Sequence, residues 1–110
     1  MTLVVSSSPR RFHDANPELC QAYVAALDEA DQLIAADPQS AADIYNEVSA
    51  TKVTNPMMLR ILGDKDTRFS TTPSGVGRWA TFMKSIGLIR QDVVDWKQFF
   101  YVESHTLNGS

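Results

Sequence analysis

One cysteine, Cys20, is all the thiol this chain holds, so it forms no intramolecular disulfide and supplies no Cys cluster for zinc. Histidine is almost as scarce. His13 and His105 stand near opposite ends, and no HxxxH or HExxH spacing exists. Positive charge is short as well: 10 Lys plus Arg face 13 Asp plus Glu, with a pI near 5.2. That balance removes the phosphate-neutralising surface on which nucleic-acid binding depends, so no nucleic-acid partner is expected. No apolar run approaches the ~20 residues of a membrane-spanning helix. Met1 to Ser8 lacks the basic start and long apolar stretch of a signal peptide. What remains is 110 residues that are 44% hydrophobic, too apolar for disorder and long enough for one small core.

Proline and glycine punctuate the chain into helices. Thr2 to Ser7 (TLVVSS) is a β-branched run closed by Ser8 and Pro9, which predicts one strand over 2–7. The next β-rich stretch, Arg68 to Thr72, is brief and polar, so that strand has no partner within the chain. Asn16-Pro17-Glu18 then has the pattern of a helix start, and Cys20, Tyr23, Val24, Leu27, Ala30 and Ile34 recur at helical spacing. A helix over 17–36 follows. Asp37-Pro38 repeats the device for a helix over 38–49, with Ala41, Ile44, Tyr45 and Val48 as its apolar stripe. A third helix spans 56–62, with Thr54 or Asn55 as cap, Met58, Ile61 and Leu62 inward, and Gly63 as its stop. Thr72-Pro73 opens a fourth over 73–86, burying Val76, Trp79, Ala80, Met83 and Ile86, with Gly87 as a C-terminal cap. A short helical turn is predicted over 95–100. The fold class is mainly α with one N-terminal strand. Helix starts at 17, 38, 56 and 73 are unequally spaced, which argues against a helical-repeat array.

Individual residues offer little chemistry. Asp64 and Asp66 form a DxD, but the further acidic ligands and closing Glu of a calcium loop are missing, so no metal site is assigned. Gly75 and Gly77 fall inside a predicted helix without a third glycine, which fits close helix packing better than a phosphate loop. Ser6, Ser7 and Ser8 lack the nucleophile-elbow pattern and a nearby His, and read first as a turn. Both histidines read as surface or capping residues. Trp79, Trp96, Phe99, Phe100 and Tyr101 form an aromatic-cage candidate, although Trp79 also lies on a helical stripe and Phe99 and Phe100 suit an anchor for the tail. No catalytic residue and no cofactor is assigned.

In order and spacing, several motifs together resemble the C-terminal part of the substrate-binding proteins of nitrate/sulfonate/taurine ABC importers. They are the strand with Phe12-His13-Asp14-Ala15-Asn16-Pro17, the run AYVAALDEADQLIAADPQSAADIY, DTRFSTTPSGV, FMKSIGLI, DWKQFF and the terminal ESHTLNGS, covering essentially the whole chain. The resemblance implies a C-terminal fragment of a two-lobed α/β periplasmic-binding-protein fold of type II, with the 2–7 strand belonging to a sheet formed elsewhere. It implies a non-enzymatic, periplasmic receptor that hands a small, often anionic solute to a membrane permease. Ser6 and Ser7, beside the implied hinge, are the ligand-binding candidates that follow. The solute itself is not specified.

Two other classes stand beside this reading. A stand-alone helical interaction module would recruit a partner peptide through a groove between helices, but leaves TLVVSS unexplained. An enzymatic reading borrows from similar proteins that handle thiamine-pyrimidine precursors, and no residue here supplies its nucleophile, metal or cofactor site. A fragment with an uncovered strand edge and helix face is expected to expose apolar surface or self-associate.

Overall fold

A computed structural model describes residues 1–93 and 95–110. Among the described residues five α-helices succeed one another: α1 Arg10–Ala15, α2 Pro17–Ala36, α3 Pro38–Val48, α4 Asn55–Leu62 and α5 Val76–Ser85. Short 3₁₀ turns follow at Trp96–Phe99 and Val102–Ser104. Contacts group the chain into two compact units, one of residues 1–24 with 71–110 and the other of residues 25–70.

The predicted strand over 2–7 does not form, and no strand exists among the described residues. This also overturns the two-lobed α/β, type II assignment for this chain, which is helical throughout its regular structure. A strand is stable only when a neighbour accepts its ladder of hydrogen bonds, and among the described residues no second strand exists to do so. Residues 1–9 have no regular structure and are tied down at particular points. The Thr2 amide donates to Ser74 O at 2.7 Å, and Thr2 Oγ1 accepts from the Ser74 amide at 2.8 Å. Leu3 and Val4 are 81% and 87% exposed.

Local sequence explains the helix boundaries. α2 is rich in alanine, the best helix former, and carries Pro17 and Glu18 in its first turn, where a missing amide and a negative charge both suit the helix end. Asn16 does not act as the expected side-chain cap of α2. Its Nδ2 instead donates to Phe12 O at 2.9 Å, closing α1, while its carbonyl accepts from the Cys20 amide at 3.1 Å. At the next corner Asp37 Oδ1 accepts from the Ser40 amide at 3.0 Å, an N-cap with Pro38 in the first helical position. α5 begins at Val76 rather than at Pro73 because Gly75 has φ +71°, a left-handed conformation that no helical residue adopts. It ends as Gly87 predicts. Gly87 has φ +78°, its amide donates to Lys84 O at 3.0 Å, and the Leu88 amide reaches back to Met83 O at 2.9 Å. That pair of bonds is the Schellman closure.

In the unit of residues 25–70, α3 packs on α4, and Ala42 and Met58 are buried. The buried position on α3 is Ala42, beside rather than within the predicted stripe, where Ile44, Tyr45 and Val48 remain exposed. A polar latch completes the hairpin. Asn46 Nδ2 donates to Val53 O at 2.7 Å and to Asn55 Oδ1 at 2.9 Å, while Asn46 Oδ1 accepts from the Val53 amide at 2.9 Å. Asn55 Nδ2 donates in turn to Asp43 Oδ1 at 2.7 Å. One asparagine side chain thus satisfies both backbone groups of Val53 in a connection that has no regular structure of its own. Asp64 and Asp66 also serve a turn: Asp64 Oδ1 accepts from the Asp66 amide at 2.8 Å.

In the other unit, Ala80 is buried under α5, with Val76 and Met83 half-buried and Trp79 and Ile86 exposed. Gly109 lies on the Trp96 ring so closely that an added Cβ would stand 2.6 Å from Cζ2. Gly77, by contrast, has open space where a Cβ would go, so close packing does not explain it. None of the 20 residues of α2 is buried, although Cys20, Val24 and Ile34 of the predicted stripe are half-covered.

Candidate functional site

The two serines singled out from the sequence, Ser6 and Ser7, both lie exposed on the irregular N-terminal segment. Ser6 Oγ and the Tyr23 hydroxyl of α2 share a hydrogen bond of 2.7 Å. This contact ties the N-terminal segment to α2. Ser8 contributes through its backbone: its carbonyl accepts from the Tyr101 hydroxyl at 2.6 Å.

Tyr101 leads to a denser cluster. Its ring stacks on His13 with centroids 3.9 Å apart and planes within 3°. His13 Nε2 stands 2.9 Å from Glu103 Oε1 and 3.1 Å from Oε2, and His13 Nδ1 stands 3.1 Å from Asp14 Oδ1. The side chains of His13 and Glu103 are each 13% exposed. Position 13 enters on α1, position 103 on the last 3₁₀ turn, and 90 residues of sequence separate them. The hydrogen bond to Asp14 first, and that to Glu103 second, hold the His13 pKa above its ordinary 6.5. Glu103 is held below its ordinary 4.5, first by a hydrogen bond from its own backbone amide and then by His13.

His105 fits its reading as a capping residue. Its Nε2 lies 3.0 Å from Lys97 O and 2.9 Å from Phe100 O, so a proton on that nitrogen serves the carbonyls at the end of the Trp96–Phe99 turn. His13 does not fit it, since both its nitrogens meet carboxylates. The aromatic candidates pair locally: Trp79 with Phe82 at 5.4 Å, Trp96 with Phe100 at 5.8 Å, and Tyr101 with His13. Helical spacing and composition do not reveal the His13–Glu103 pair, because neither encodes a contact across that separation.

In the unit of residues 25–70, Asp31, Ile34, Thr67, Arg68 and Phe69 line an open groove of about 370 Å³. Partial burial raises the Asp31 carboxyl above its ordinary pKa, and the neighbouring charge of Asp28 adds to the effect. Ser6 and Ser7 do not line this groove. Among the described residues, no group of three or more His, Cys, Asp or Glu side chains is placed to hold a metal ion. Also among them, no helix is long and apolar enough to cross a membrane. No family model matches the chain, and neither the curated proteins nor the solved structures compared with it give a match.

Proposed function

We propose that this chain is part of the solute-binding component of an ABC importer for a small anionic solute such as nitrate, a sulfonate or taurine. In this reading it works outside the cytoplasmic membrane with a permease, and its helices serve as scaffold rather than chemistry. The observation that carries the reading is the ordered series of motifs from Phe12-His13-Asp14-Ala15-Asn16-Pro17 to ESHTLNGS. The two ends of that series meet at the His13–Glu103 pair, which gives both motifs a structural role and supports treating them as one unit. Ser6 and Ser7 lie exposed at the surface, where a solute held by neighbouring protein could reach them, Ser6 beside the Tyr23 hydroxyl it already meets.

Deleting the gene and measuring uptake of labelled nitrate, taurine and alkanesulfonates tests the proposal. Uptake of at least one solute should fall about tenfold or more and return on complementation. Unchanged uptake of all of them would overturn it.

The exposed apolar residues Leu19, Tyr23 and Leu27 on α2 favour a second reading, a helical module that docks a partner protein. Stoichiometric co-purification with a soluble partner, together with unchanged uptake, would establish that reading instead.

A further inference from the structure

Only the protonated form of His13 satisfies both of its carboxylate neighbours at once. Each ring nitrogen faces a carboxylate, Asp14 at Nδ1 and Glu103 at Nε2. An ionised carboxylate only accepts hydrogen bonds, and a neutral imidazole carries a single N–H. A neutral ring would therefore aim the lone pair of one nitrogen at an anion. The imidazolium, with an N–H on both nitrogens, satisfies both sides, and the stacked Tyr101 ring offers the π-face that a cation favours.

We propose that His13 is a proton-operated clasp: its imidazolium fastens the Tyr101–His105 segment to α1, and loss of one proton loosens that segment. The charged and titratable groups around the ring come from both sides. Asp14 belongs to α1; Glu103 and Tyr101 belong to the C-terminal segment, where His105 acts on Glu103 through its charge. The two partners respond differently to deprotonation. Asp14 is 65% exposed and turns to water with little loss, whereas Glu103, at 13%, regains water only as its segment lifts. Whichever nitrogen keeps its proton, the charge pairing between segments disappears. The raised His13 pKa gives the direction: the clasp is closed below about pH 6.5 and opens as pH rises through the higher, folded-state value.

Nitrogen-detected NMR of the imidazole rings and amide hydrogen exchange test this on the whole chain. The His13 titration midpoint should lie above 6.5. Protection factors of residues 101–107 should fall several-fold between about pH 6 and pH 8.5, while those of α3 and α4 stay constant. In Glu103→Gln the His13 midpoint should move down and the pH-dependent part of the protection should shrink. In His13→Gln that part should vanish, with α5 resonances reporting that the unit holding residue 13 is still folded. A wild-type midpoint at or below 6.5, or equal protection of the segment at both pH values, would overturn the clasp.

Discussion

Asn46 shows how much one side chain can decide in a hairpin with a small core. It both donates to and accepts from Val53, so Asn46→Ala leaves the two backbone groups of half-buried Val53 without their partners. A loss of about 1–3 kcal/mol is expected, read as a lower urea midpoint with unchanged slope. The His13–Glu103 pair makes a second prediction at this scale. The raised His13 pKa contributes stability that is complete below about pH 6.5 and lost as pH rises through the folded value. The lowered Glu103 pKa contributes stability that is present above about pH 4.5 and lost as pH falls through its folded value. Between those limits the pair favours the folded state most. Denaturant titrations across about pH 4 to 9 should show a maximum there that flattens in His13→Gln. A profile identical in the variant would remove His13 from the account.

At the scale of elements, α5 has one glycine within it and another just past its end, and replacing them should act in opposite directions. Gly87 adopts φ +78°, so Gly87→Ala meets no steric neighbour yet forces a left-handed alanine, at a cost of about 1 kcal/mol. Gly77 lies within the helix with open space around it, so Gly77→Ala should add roughly 0.5 kcal/mol through helix propensity and a less flexible unfolded chain. Thermal unfolding followed by circular dichroism should place the two variants on either side of the parent. Two shifts of the same sign would contradict these conformations. Boundaries of this kind are legible in the sequence because caps and breakers act within a few residues: Pro17, Asp37-Pro38 and Gly63 each mark the end they lie beside. α1 was not legible, since six residues are too few to show a stripe.

For the molecule as a whole, the main feature is how little is covered. Among the described residues only Ala42, Met58, Pro73 and Ala80 are buried, while Leu3, Val4, Leu33, Val48 and Leu88 are each more than three-fifths exposed. Isolated exposed leucines are ordinary, but so many beside so small a core leave apolar area that association would remove from water. Light scattering after size exclusion should show self-association that rises with concentration, and a hydrophobic dye should fluoresce in the chain's presence. A monodisperse monomer that binds no dye would show that these side chains cover one another in solution.

Sequence alone determined what depends on neighbours along the chain: the helical class, the long α2, the Asp37 and Gly87 caps, and the acidic balance. It misjudged TLVVSS, because β-branched composition states a preference, and a strand exists only where another strand supplies its hydrogen bonds. It also treated both histidines alike. Tertiary structure separated them, setting His105 against carbonyls and His13 between two carboxylates. The physical reason is the same in both cases: pairing partners distant in sequence are chosen by the fold, and periodicity, propensity and capping carry no record of them.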